Sequence, residues 1–107
     1  MNFTIETFRD PKTFALNVKV LMASLQGNAT MAREASERVY ELAVELDNAY
    51  DTKLATTLFT LAEALHHQSR SLKFKEVYDL TGSKTALHDM ETYMDLATNA
   101  LSLIGVS

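Results

Sequence analysis

Apolar side chains recur at spacings of three and four residues through nearly the whole chain. This spacing follows the α-helical repeat of about 3.6 residues, so the apolar residues of each segment fall on one helix face. One proline and three glycines stand between the periodic segments and not inside them. Segments of this kind fold by packing their apolar faces together. We therefore predict an all-α fold, an antiparallel bundle of about four helices.

Capping residues predict where these helices begin and end. Asp10-Pro11 is typical of a helix start, and Gly27 suits the left-handed residue that follows a helix end. Asn28 is a predicted N-cap of the second helix, and Gly82 is a predicted stop before the last one. The predicted helices span residues 11–26, 29–48, 52–70 or 52–80, and 84–104.

The sequence does not decide the structure of two parts of the chain. Leu72, Val77 and Leu80 keep an imperfect helical period, so the third helix either ends near residue 70 or continues to residue 80. In the first ten residues apolar and polar side chains alternate around Phe3 and Ile5, which favours an extended arm. A lone strand would lack a partner, so we expect this arm to pack on the bundle.

Composition limits the class of protein. The length of 107 residues, with 47% hydrophobic and 22% charged residues, predicts one globular domain over residues 1–107. The chain has no cysteine, which excludes disulfides and fits the cytoplasm. The first ten residues carry Glu6 and Asp10 where a signal peptide would be apolar, and no run of about 18 apolar residues follows. We expect a cytoplasmic protein that makes no membrane contact.

The net charge of −4 is unevenly distributed. Acidic side chains dominate residues 28–51, whereas residues 69–84 contain more basic than acidic ones. The basic residues of the second segment, Arg70, Lys73, Lys75 and Lys84, alternate with Phe74 and Tyr78. This mixture can contact a nucleic acid, but the acidic chain as a whole disfavours that partner.

Three groups of residues contain side chains that can bind metals or transfer phosphate. Glu63 and His66 have the Glu-x-x-His spacing of di-iron bundles. The core side of this helix is defined by a leucine stripe, which consists of Leu54, Leu58, Leu61 and Leu65. At about 100° per residue, however, Glu63 and His67 fall opposite this stripe. We therefore predict no metal site and no cofactor. The enzyme alternative is a small helical phosphotransfer or metal-dependent nucleotide-hydrolase-like protein; it would use His88, or the carboxylates of Glu34, Glu37, Glu76 and Asp79.

Once each helix has a core stripe, several large apolar residues remain on the backs of the helices. The predicted stripe of the last helix is Leu87, Met90, Met94, Ala97, Leu101 and Ile104. The residues left over, which we predict to form a partner or oligomer interface, are Leu16, Val20, Tyr40, Val44, Phe59 and Leu96. The N-terminal arm could cover some of them. We expect a non-enzymatic protein-interaction module that acts as a homo-oligomer; a dimer is favoured because one self-complementary patch suffices.

Overall fold

A computed structural model describes residues 3–107 and shows the predicted all-α fold. The described residues form five helices and no strand. The helices are α1 (Ile5–Arg9), α2 (Phe14–Ser24), α3 (Ala29–Asn48), α4 (Thr52–Thr81) and α5 (Lys84–Leu103). None of these five helices combines the length and the apolar character needed to cross a lipid bilayer.

Capping residues act at the ends of the long helices, at the predicted Asn28 and Gly82 and also at Ser83. The Asn28 side chain accepts a hydrogen bond of 3.0 Å from the backbone N–H of Met31, at the start of α3. Ser83 does the same for the N–H of Ala86 at the start of α5, at 3.3 Å. Gly82 ends α4 with a φ of +68°, in the left-handed region where glycine is favoured. These contacts satisfy backbone groups that have no partner within the helix.

The prediction of an extended N-terminal arm is wrong for residues 5–9, which form α1. The hydroxyl of Thr7 accepts a hydrogen bond of 3.1 Å from the backbone N–H of Thr4, a local contact that favours the helical turn. The turn buries Phe8 completely in the core and leaves Glu6 and Arg9 exposed to solvent. As expected, this segment packs on the bundle.

The first predicted helix begins at Phe14, three residues later than predicted. Asp10 does not cap it. The Asp10 carboxylate accepts a hydrogen bond from the N–H of Lys12 at 2.9 Å, and its carbonyl accepts one from Thr13 at 3.2 Å, so residues 10–13 form a turn. At the other end α2 stops two residues early, because residues 26 and 27 both have positive φ.

The long helix α4 is continuous to Thr81, which decides the question left open by the sequence. Its 30 residues span about 45 Å at the usual rise per residue, close to the longest extent of the molecule, 46 Å. α3 runs antiparallel along its first two-thirds, where Ser69 donates a hydrogen bond to the carbonyl of Ala29 at 2.8 Å. α5 packs antiparallel on another side, where Ser71 donates to the carbonyl of Met90 at 2.8 Å.

Because Ser69 already meets the first residue of α3, the part of α4 after Ser71 has no α3 beside it. This part and the first half of α5, residues 72–93, form a two-helix extension that we call the distal hairpin. The main core lies at the other end of α4, where α2, α3 and the N-terminal segment also contribute. Its largest fully buried side chains are Phe8, Val18, Leu25, Val39, Leu42, Leu58, Leu61 and Leu65.

The predicted core stripe of the last helix is only partly right. Met94 is exposed, and the buried residues of α5 are the small Ala86, Ala97 and Ala100. The physical reason is that α5, from Leu87 past Met94, packs almost only on α4 and therefore has one neighbouring helix instead of two. Large apolar side chains there stay at the edge of the contact.

Candidate functional site

An open groove runs between α3 and α4 on the outer side of the bundle. It has a volume of about 580 Å³, and we call it the acidic groove. Its walls are formed by Ser36, Glu37, Tyr40 and Glu41 of α3 and by Phe59, Ala62, Glu63 and His66 of α4. It is open to solvent along its length.

Two aromatic rings lie at one end of the acidic groove. Tyr40 and Phe59 form an edge-to-face pair with ring centroids 5.4 Å apart. Phe59 packs partly against the hydrophobic core, whereas Tyr40 is 56% exposed. The core therefore holds one ring, and that ring supports the other at the surface.

Small residues bring the two helices together beneath these rings. Ser36 is buried, and its hydroxyl donates a hydrogen bond of 2.7 Å to the carbonyl of Ala62. A larger side chain at either position would push α3 away from α4. The floor of the groove is thus set by a serine and an alanine.

Carboxylates surround the acidic groove. Glu37, Glu41 and Glu63 are all exposed. Glu41 lies 3.4 Å from the Arg38 guanidinium, and Glu63 lies 3.4 Å from the imidazole of His67. Since surface contacts of this length neutralise little charge, the groove attracts cationic groups.

A second groove continues along the same side of α4, and His66 lines both. It has a volume of about 360 Å³, and we call it the basic groove. Its other walls are Arg33, Ser69, Arg70, Lys73, Phe74 and Val77. Arg70 and Lys73 belong to the basic segment predicted from the sequence, whereas Lys75 of that segment faces elsewhere and pairs with Asp79 at 3.0 Å.

Tyr93 of α5 supports the basic groove from behind, a role that sequence reasoning missed. Its ring stacks on Phe74 at 5.7 Å with an interplanar angle of 10°, and the Arg70 guanidinium lies 5.1 Å from its centroid. The ring of His67 lies 6.0 Å away. Tyr93 lies on α5 and its three partners lie on α4, so no spacing along the chain could have indicated the cluster.

The position of His67 corrects one prediction. Glu63 is exposed, as expected for a residue opposite the core, but the His67 side chain is only 18% exposed. α5 covers that side of α4 and brings Tyr93 against the imidazole. The leucine stripe identifies the side of α4 that faces the main core, but it does not show where a further helix packs.

The structure separates the six predicted interface residues. Tyr40 and Phe59 meet in the acidic groove, and Val44 lies one turn further along α3, half-buried and outside the groove walls. Leu16 and Val20 are exposed on α2, and Leu96 is exposed on α5. They contribute nothing to the acidic groove.

The residues of the enzyme alternative lie apart as well. Within residues 3–107, no three histidine, aspartate or glutamate side chains converge at metal-binding distances. Glu34 and Glu37 lie on α3, whereas Glu76 and Asp79 lie in the distal hairpin, beyond the end of α3. His88 is exposed on α5.

No family model, curated protein or solved structure matches this chain. The chemistry of the two grooves is what indicates a function. The acidic groove combines the exposed Tyr40 ring and the half-buried Phe59 ring with three carboxylates, and the basic groove adjoins it at His66.

Proposed function

We propose that this chain is a non-enzymatic protein-interaction module, of the adaptor, inhibitor or immunity type, that binds its partner in the acidic groove. The observation that carries the proposal is the Tyr40 ring, which is held at the surface by Phe59 between exposed carboxylates. Tyrosine that is supported from below loses little conformational freedom on binding, and it is enriched among residues that dominate binding energy. The absence of cysteine supports a cytoplasmic location.

The groove favours one kind of partner. A straight channel between two helices accepts a third helix that inserts one apolar stripe. The carboxylates at the rim, Glu37, Glu41 and Glu63, favour lysine or arginine on the partner helix, beside its apolar stripe. The expected partner segment is therefore an amphipathic helix with an apolar stripe and basic flanks.

Apolar and charged contacts have different roles in this scheme. Burial of Tyr40 and of the exposed edge of Phe59 supplies most of the affinity, since apolar burial contributes roughly 25 cal/mol per Å². The rim carboxylates raise the association rate and exclude acidic partners. Added salt should consequently slow association more than it speeds dissociation.

Replacing Tyr40 with Ala and Val44 with Ser tests the proposal. The double variant removes the exposed ring and the apolar side chain one turn away, so it should weaken partner binding about tenfold or more. The measurement is affinity purification from the source cells with quantitative mass spectrometry, followed by titration calorimetry with the recovered partner. Circular dichroism should show unchanged helicity, because Tyr40 is 56% exposed and Val44 is only half-buried.

The matched control is Tyr50→Ala. Tyr50 is 90% exposed and lies in the turn between α3 and α4, outside the acidic groove. The Tyr50→Ala variant also loses a tyrosine side chain, but from a different surface, and should leave partner binding intact. Equal partner recovery by the double variant and the wild-type chain would refute the proposal.

A further inference from the structure

The acidic and basic grooves share one face of α4. The residues of that face follow each other at spacings of four and three, which keeps them in one row for about 27 Å. The row, which we call the α4 stripe, consists of Phe59, Glu63, His66, Arg70, Lys73 and Val77. Its first half lies beside the rim carboxylates of the acidic groove, and its second half carries the cations of the basic groove.

The α4 stripe is symmetric about residue 68. Its equidistant pairs are Phe59 with Val77, Glu63 with Lys73, and His66 with Arg70. If two copies of α4 lie antiparallel with this register, an aromatic ring meets an aliphatic side chain, and a carboxylate meets an ammonium group. A twofold axis makes each of these contacts twice.

The shape of the molecule permits this arrangement. Along the distal hairpin α4 has no α3 beside it, so this part of α4 projects as a free helix face. Val77 and Leu80 are exposed there, Leu80 to 86%. The corresponding recess is the acidic groove, where α3 and α4 lie side by side and Tyr40 is exposed.

We infer that the chain forms an antiparallel twofold dimer in which the distal half of α4 from each copy occupies the acidic groove of the other. Phe59 and Tyr40 of one copy pack against Val77 and Leu80 of the other, and Glu63 pairs with Lys73. The inference rests on the proposed function, because it takes the acidic groove as the binding site and names its occupant. The stripe has the apolar and basic character that the groove requires of a partner helix.

The small size of this contact indicates a weak dimer. A row of about 27 Å on two helices belongs with small interfaces, which form transient complexes. We therefore expect a dissociation constant in the micromolar range. Sedimentation velocity over a concentration series through that range should show a monomer–dimer equilibrium.

Charge reversal tests the register. Glu63→Lys sets two lysines against each other at both symmetric contacts, and Lys73→Glu sets two carboxylates against each other. Each variant alone should weaken the dimer about tenfold or more, because like charges in contact repel. Both side chains are exposed, and circular dichroism checks that each variant keeps its helicity.

Mixing the two variants provides the decisive measurement. In a heterodimer of Glu63→Lys with Lys73→Glu, both contacts again join opposite charges, so the mixture should associate nearly as tightly as the wild-type chain. The control is Lys75→Glu, the same charge change on the same helix but outside the α4 stripe, which should leave the dimer unchanged.

A monomeric wild-type chain throughout the micromolar range, or a mixture that fails to associate, would overturn the inference. So would a wild-type dimer that both reversals leave intact. If the wild-type chain is monomeric while Tyr40→Ala with Val44→Ser still abolishes binding of another protein, the dimer is wrong and the proposed function stands. If partner binding is also unaffected, both fail.

Discussion

Three buried serines connect α4 with its neighbours. Ser36, Ser69 and Ser71 are buried, and each hydroxyl donates a hydrogen bond to a backbone carbonyl of the adjacent helix. A serine at these positions is small enough for close approach and brings its own hydrogen-bond donor to a site without water. Ser69 and its acceptor, the carbonyl of Ala29, lie 40 positions apart, so this contact could not be predicted from the sequence.

Ser71 offers a test of these contacts. Ser71→Ala removes one hydrogen bond without leaving a donor unpaired and should lower the free energy of unfolding by about 1 kcal/mol. Ser71→Leu should cost more, roughly 1–3 kcal/mol, because α5 packs directly on this fully buried position. Urea unfolding monitored by circular dichroism measures both.

The control for Ser71 is Ser102→Ala. Ser102 is exposed, and its hydroxyl donates within its own helix, to the carbonyl of Thr98. Its replacement should change stability by less than about 0.5 kcal/mol. Equal losses for the two alanine variants would mean that the contact between α4 and α5 contributes nothing specific.

The packing of α4 explains why the sequence did not decide where this helix ends. Up to Ser71 the helix lies between α3 and α5, and beyond it only α5 covers the helix. The buried apolar side of α4 therefore shifts around the helix near Leu72. In the sequence this shift appears as an imperfect helical period. The intervening residues contain neither glycine nor proline, so nothing local stops the helix before Gly82.

Gly82 determines where the distal hairpin turns. Its φ of +68° lies in the left-handed region, and a side chain there would meet no atom within 4 Å. Gly82→Ala should therefore cost about 1 kcal/mol from the backbone alone. Gly82→Asn should cost less, because asparagine tolerates this conformation better. Thermal and urea unfolding of both variants test the expectation; a larger loss for asparagine than for alanine would contradict it.

At the scale of the whole molecule, the N-terminal segment is joined to the core by a chain of aromatic rings. Phe3 and Phe8 meet edge to face at 5.6 Å, and Phe8 meets Phe14 at 6.2 Å. Arg9 reaches across to Asp51 at 3.1 Å, and its hydrogen bonds with Glu6 and Asp51 raise the pKa of the Arg9 guanidinium. The segment thereby closes the end of the bundle where α3 turns into α4.

Phe8→Ala should be among the most damaging single substitutions. Phe8 is 1% exposed, and truncation of a buried phenylalanine costs about 3–5 kcal/mol. Phe8→Leu fills most of the space and should cost markedly less. Urea unfolding gives both values, and Arg9→Ala is the control, with a much smaller loss expected for an ion pair at the surface. If Phe8→Ala were as stable as Arg9→Ala, the N-terminal segment would not belong to the core.

The sequence alone predicted the helical class, the caps at Asn28 and Gly82, and both ends of α3. These features depend on residues within about one turn of each other, as for Asn28 with Met31, so spacing along the chain is enough to predict them. The tertiary structure decided which surfaces meet. It buried His67 against Tyr93, separated Leu16 and Leu96 from the acidic groove, and placed that groove and the basic groove on one face of α4. Those outcomes depend on which helix lies beside which, and that is set by contacts between residues far apart in the chain.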